Sequence, residues 1–224
     1  MLKFRCAVLC VLIVLGGKAM AVDEPPFRVI EADGAFEVRD YPALVVAEVT
    51  VAGNQDEAGN RGFRLLAAYI FGGNTRKQSI AMTAPVVQNP DPGEKIAMTA
   101  PVVQSQQAGT PQAPTQLAGT DQPGTWTVRF IMPQGSTLES LPTPNDARVH
   151  LVAAPPTRVA VVRFSGLAFA SDVAAKTAEL RAWIASRHWS AIGPPQLARY
   201  NPPWTLWFLR RNEVMISLST GGAS

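Results

Sequence analysis

The chain of 224 residues has little with which to do covalent or metal chemistry. It holds two cysteines, Cys6 and Cys10, and two histidines, His150 and His188. Lys3 and Arg5 precede an apolar run from Cys6 to Leu15, and Ala19-Met20-Ala21 follows as an A-x-A cleavage site. This is the layout of a secretory signal peptide over residues 1–21, with a run too short to span a bilayer. Both cysteines fall inside that leader. The expected mature chain, 22–224, therefore has no disulfide, no thiolate nucleophile and no Cys-ligated metal. The two histidines show no His-x-x-x-His spacing, and no Gly-x-Ser-x-Gly elbow surrounds Ser165. None of this points to an enzyme.

Charge of one sign is lacking too. Of the 20 lysines and arginines, Lys3, Arg5 and Lys18 lie in the leader, and none of the 17 acids does. The mature chain then balances 17 basic against 17 acidic residues, which leaves no electrostatic footprint for nucleic acid. The expectation is an exported protein, periplasmic or secreted, with one sizeable core and no stable membrane span in its mature form. An uncleaved anchor is the other way to read the leader.

What is present is a sheet-and-helix pattern. Phe36-Glu37-Val38-Arg39 alternates, and Leu44 to Val51 is β-branched and mostly apolar, so two strands are predicted with Pro42 between them. Residues 54–74 predict a helix, with Phe63, Leu66, Ala67 and Ile70 at i, i+3, i+4 and i+7 and Gly72-Gly73-Asn74 as its stop. Further strands are predicted over 126–132, 148–153, 158–164, 196–200 and 213–218. A second helix, capped by Ser171 and running to about Arg187, carries Val173, Thr177, Leu180 and Ile184 in one stripe. The order strand-strand-helix-strand-strand thus occurs twice. Ser105 to Gly124, rich in Gln, Ala, Gly, Thr and Pro, predicts a mobile loop.

One feature stands outside that plan. The nonapeptide IAMTAPVVQ occurs at 80–88 and again, unchanged, at 96–104. Ile, Met, Ala and Val hold alternate positions in each copy, and the linker NPDPGEK is turn chemistry, so a β-hairpin with eight apolar side chains on one side is predicted. Pro85 and Pro101 cannot donate to a ladder and belong at an edge or a bend.

Several motifs carry a resemblance. Gly62-Phe63-Arg64-x-Leu66, Tyr69-Ile70-Phe71-Gly72-Gly73-Asn74, the doubled Ile-Ala-Met-Thr-Ala-Pro-Val, Phe164-Ser165-Gly166 and Tyr200-Asn201-Pro202-Pro203-Trp204-Thr205 resemble the SOUL haem-binding family. So does Phe208-Leu209-Arg210-Arg211-Asn212-Glu213-Val214, and the similarity runs from about Phe27 to Leu218. Leu206 departs from it, standing where the family more often has proline. The resemblance implies an α+β fold, a distorted eight-stranded antiparallel β-barrel flanked by two helices and built from a pseudo-twofold pair of halves. It also implies non-covalent binding of haem or another tetrapyrrole.

With few histidines to ligate iron, an apolar cleft is the expected mode of binding. His150 alternates with apolar neighbours and reads as the polar face of a strand. His188 follows a helix end, where it suits the helix dipole. The first helix offers Phe63, Leu66 and Ile70, with Arg64 at its polar edge to pair with carboxylates. Met82 and Met98 of the repeat complete the candidate site. The same apolar stripe equally suits plain packing on a sheet. No metal-ligating or catalytic set emerges. Trp204, in a Pro-Pro-Trp turn, reads first as a plug at the barrel end. With Trp207, Phe208, Arg210 and Arg211 it also suits a partner surface. The alternatives kept open are another amphipathic small molecule on the same barrel, or an interaction protein using this C-terminal segment.

Overall fold

The computed structural model describes residues 24–75, 94–107, 124–201 and 204–219. The expected leader, the first repeat copy with Met82, and most of the predicted loop lie outside them. The chain opens with β1 (Arg28–Asp33), β2 (Phe36–Tyr41), β3 (Leu44–Gly53) and α1 (Gln55–Ile70). The short β4 (Asn74–Thr75) precedes β5 (Val102–Gln106), β6 (Gly124–Ile131) and the short β7 (Thr143–Pro144). Then come β8 (His150–Ala154), β9 (Thr157–Ser165), α2 (Ala170–Ser186), β10 (Ala191–Arg199) and β11 (Arg211–Leu218).

Local chemistry explains the helix ends. Asn54 Oδ1 accepts from the Glu57 N–H at 2.9 Å, and Glu57 Oε2 accepts from the Asn54 N–H, a reciprocal cap on two orphan donors. At the far end the Gly73 N–H reaches Ala68 O at 2.8 Å while Gly72 turns at φ +113°, which closes the helix where predicted. α2 begins one turn-step earlier than expected. Its cap is Phe169, whose N–H donates to Asp172 Oδ2, so Ser171 sits inside the helix.

Nine strands form one antiparallel sheet in the order β1-β2-β9-β11-β10-β5-β6-β3-β8. Side chains alternate faces along each strand. Val49, Val128 and Phe130 meet Leu66, Tyr69 and Ile70 beneath α1. Ala160, Val162, Val214 and Ile216 meet Leu180 and Ile184 beneath α2. The opposite face forms a third cluster that draws on strands far apart in the order, with Val46 and Val152 packed among Val159, Val161, Ala198 and Met215. The sheet therefore curls on itself around this inner core.

Among the described residues it does not close, however. The end strands β1 and β8 are not paired with each other, so where a distorted eight-stranded barrel was expected the described residues form an open nine-stranded sheet. β9, which follows β8 through Pro155-Pro156, has both its edges taken by β2 and β11, so β8 stays at one edge of the sheet. The ninth strand, β1, is added by a two-residue turn at Gly34-Ala35 and carries charge on its outer edge.

Two other expectations change. The second repeat copy is not a strand along its length. Ile96 to Ala100 run irregularly, and β5 begins only at Val102, past Pro101. β5 is then an interior strand between β6 and β10, so its ladder partners are not those of a local hairpin. The predicted loop is also shorter at both ends. Ser105 and Gln106 pair in β5 and Gly124 in β6, because a ladder needs only backbone groups.

Candidate functional site

A pocket of about 540 Å³ opens beside the N-terminal half of α1. That volume falls within the range of roughly 300–1,000 Å³ typical of small-molecule sites. The helix contributes Asp56, Gly59, Asn60 and Phe63, again at i, i+3, i+4 and i+7. This is the N-terminal continuation of the stripe that carries Leu66 and Ile70. The stripe is apolar where it meets the core and turns small or polar where the pocket lies.

Two glycines set the helix close to the sheet. A Cβ on Gly62 would stand 2.5 Å from Val128 Cγ2, so only glycine permits that approach. A Cβ on Gly59 would stand 2.9 Å from Gln104 Oε1 and 3.2 Å from Arg199 Nη1. The space left by that missing side chain is where a glutamine and a guanidinium converge.

The facing wall is the second repeat copy. Met98, Thr99, Ala100, Val102 and Gln104 all line the pocket. Met98, Ala100, Val102 and Gln104 hold alternate positions, and strict alternation would have hidden only Thr99. The irregular path ahead of Pro101 brings Met98, Thr99 and Ala100 to the same space. β10 supplies Leu197 and Arg199, followed by Tyr200, and the loop beyond supplies Trp204 and Arg210.

Of the expected site residues, Phe63 and Met98 line the pocket. Phe63 is half-buried and meets Phe130 edge-on, with ring centroids 5.4 Å apart. Leu66 and Ile70 do not line it. They are 0% and 1% exposed, fully spent on the core under α1. Arg64 is exposed and not part of the pocket wall. The cationic groups of the pocket are Arg199 and Arg210 instead. Arg199 Nη2 donates to Asp56 Oδ1 at 3.2 Å. Burial pushes its guanidinium below the ordinary arginine value, against the pull of Asp56. Arg210 Nε donates to Thr205 O at 2.8 Å.

His150 and His188 are both exposed and neither lines the pocket. Among the described residues no group of three His, Cys, Asp or Glu side chains is placed to hold a metal ion. Trp204 corrects the expected plug: it lines the pocket but is 82% exposed. Leu206, Trp207, Phe208 and Leu209 are exposed with it.

Tyr200 ties the pocket to a buried ionic network on the inner face of the sheet. Its hydroxyl donates to Glu213 Oε2 at 2.6 Å. Arg39 clasps the same carboxylate through Nη1 at 2.8 Å and Nη2 at 3.1 Å, and Arg211 donates to Glu213 Oε1 at 2.8 Å. Arg211 also lies over the Tyr200 ring, 3.9 Å from its centroid. Burial works to raise the Glu213 carboxyl, but Arg39, Tyr200 and Arg211 outweigh it and hold it below the ordinary carboxylate value. Burial pushes the Tyr200 phenol up. The hydroxyl is thus a fixed donor to Glu213, while its ring remains a wall of the pocket.

The sequence signal for Thr99 and Gln104 was their presence in both copies of the nonapeptide, Gln104 as the polar end of the apolar register and Thr99 off it. Arg199 carried no signal and Tyr200 only that of a family motif, since nothing local marks a residue at a strand end as facing a helix about 140 positions earlier.

Known proteins show the same fold and a family. The chain is 36% identical over 80 residues to human Heme-binding protein 2, covering 34% of this chain and 39% of that protein. The match thus spans well under half the length of that relative. An uncharacterized conserved protein from Listeria innocua superposes with a TM-score of 0.54 at 11% identity, covering 82% of this chain and 92% of that one. A hydrolase from Listeria innocua gives 0.51 at 12% identity, covering 85% and 94%. At such identities these two show a shared fold alone. The model of the SOUL heme-binding protein family matches residues 22–217, and the chain belongs to that family.

Proposed function

We propose that this protein holds haem or a related tetrapyrrole, without covalent attachment and without catalysis, in the pocket between α1 and the second repeat copy. One observation carries this reading. A 540 Å³ pocket walled by Phe63, Met98, Val102, Val128 and Leu197 has two arginines, Arg199 and Arg210, at its border. The apolar wall suits a flat hydrophobic ring, and the guanidiniums suit its carboxylates. The lining offers no histidine or cysteine to iron, and Met98 supplies the thioether among its side chains. Binding then rests on burial and on the carboxylate contacts. Export to the periplasm or beyond is part of the proposal, on the strength of the leader pattern.

The test is a haemin titration followed by the Soret band. Saturation near one equivalent, weakened at least tenfold by Phe63→Glu, is the expected result. A His188→Ala variant that alone abolishes the band would overturn the proposed site.

A second reading is favoured by the run Trp204, Leu206, Trp207, Phe208 and Leu209, each more than half exposed. Such a contiguous apolar stretch suits a contact between protein molecules. Sedimentation should then show self-association that Trp207→Ser with Leu209→Ser removes, with haemin binding retained.

A further inference from the structure

Two polar atoms in the pocket wall have no partner. Gln104 Oε1 and Thr99 Oγ1 are buried and accept or donate no hydrogen bond among the described residues. Their residues are 4% and 5% exposed, and both line the pocket. Gln55 Nε2 is a third such atom, but Gln55 does not line it. Leaving a buried polar atom unmatched costs about 1–3 kcal/mol, so two in one pocket wall call for an explanation.

The orientation of Gln104 is set by its surroundings. Its Nε2 donates to the Gln55 backbone carbonyl at 2.6 Å. Turning the amide over would point one acceptor at another, so Oε1 is held as the open end. Gly59 keeps the space beside Oε1 clear, and Arg199 Nη1 lies against the same space. An acceptor that needs a donor thus stands near a guanidinium whose other nitrogen, Nη2, is paired with Asp56. Thr99 adds a hydroxyl from the same strand approach.

The geometry points to Gln104 and Thr99 as the pair that reads an N–H donor of the ligand, which selects open-chain tetrapyrroles, able to present their lactam and pyrrole N–H groups outward, over a closed macrocycle such as haem. This rests on the tetrapyrrole reading of the pocket given above. In haem all four ring nitrogens are taken by the metal, and ionised propionates only accept hydrogen bonds. Haem would bury Gln104 Oε1 and leave it unmatched. A metal-free porphyrin points its N–H groups at the ring centre, out of line with a wall acceptor, whereas an open-chain tetrapyrrole can present lactam and pyrrole N–H groups beside its carboxylates, which matches the station. The second copy of the nonapeptide is then a ligand-reading element, with Met98 and Val102 giving shape and Thr99 and Gln104 giving chemistry.

The experiment compares haemin, protoporphyrin IX and biliverdin by quenching of the protein's tryptophan fluorescence, with wild type, Thr99→Val and Gln104→Met. Thr99→Val keeps the volume and loses no existing bond. Gln104→Met also gives up the bond to Gln55, so its melting curve is recorded beside it. Wild type is expected to bind biliverdin about tenfold more tightly than haemin or protoporphyrin IX. Each variant should lose about five- to tenfold for biliverdin and leave the two closed rings within twofold. Either closed ring binding as tightly as biliverdin, or variants that shift all three ligands alike, would overturn the inference. If all three bind and Phe63→Glu weakens them while Thr99→Val and Gln104→Met are silent, only the polar station is lost. If none binds, or Phe63→Glu changes nothing, the pocket reading falls and the station with it.

Discussion

Replacing Glu213 with glutamine should cost the fold far more than a neutral, isosteric change normally does. Glu213 is 0% exposed and accepts hydrogen bonds from Arg39, Tyr200 and Arg211. Arg39 is likewise 0% exposed, with Glu37 at 2.6 Å as its other carboxylate partner. Glutamine keeps the shape but turns one acceptor into a donor facing a guanidinium or a hydroxyl. It also removes the charge that offsets Arg39 in the interior. Breaking a buried pair from one side costs about 3–5 kcal/mol. The lower end, about 3 kcal/mol, is expected here because Glu37 and Tyr41 remain beside Arg39. For a domain of this size each kcal/mol moves Tm by roughly 2–4 °C, so a fall of about 6–12 °C is predicted.

The pH dependence gives a second handle. The folded carboxyl lies below its ordinary value of 4.5. A depressed carboxylate stabilises the fold fully above its unfolded value, and that stabilisation is lost as pH falls through the folded value. The gap between wild type and Glu213→Gln in urea or thermal unfolding should therefore be constant from pH 8 to about 5.5 and shrink on further acidification. A gap under about 0.5 kcal/mol at pH 7, or one that widens in acid, would refute the reasoning. A double change, Arg39→Met with Glu213→Leu, should recover only part of the loss, because it removes the most buried ion pair but leaves the Tyr200 hydroxyl without its acceptor and Arg211 without the Glu213 carboxylate.

Other expectations follow from particular contacts. Gly62→Ala should destabilise by about 1–3 kcal/mol in chemical denaturation, since its Cβ would meet Val128 at 2.5 Å. Arg199→Gln should weaken binding of a carboxylate-bearing tetrapyrrole about five- to tenfold in fluorescence titration, whereas Arg64→Glu, outside the pocket, should leave it within twofold. Trp204→Ser should leave Tm within about 1 °C, because the ring is 82% exposed. Export predicts a periplasmic or secreted form that begins at Val22, and an intact mass retaining residues 1–21 would contradict it.

Much of this protein is written locally. The β-branched run from Leu44, the alternation through Trp126–Ile131 and the stripe Val173-Thr177-Leu180-Ile184 each fold as their periodicity demands. Asn54 and Gly72 end α1 where their side chain and backbone freedom dictate. Such features depend on neighbours within a few residues, so the sequence by itself determines them. The family, too, was legible in motifs of five or more residues.

The site was only half legible. The apolar stripe of α1 could be seen, but not where along it the cover of the sheet ends. Leu66 and Ile70 fall over Val128 and Phe130 and become core. Phe63, Asn60 and Gly59 fall where the opposite wall stands back and become pocket. That boundary is set by the path of residues 96–101 and by the arrival of Arg199 and Tyr200 from β10, across more than a hundred positions. The open sheet, the interior place of β5 and the exposed stance of Trp204 are likewise products of long-range pairing. Periodicity tells a side chain which way to point. Only the assembled sheet decides what stands opposite it, and a vacant volume, unlike a helix, has no residues of its own to announce it.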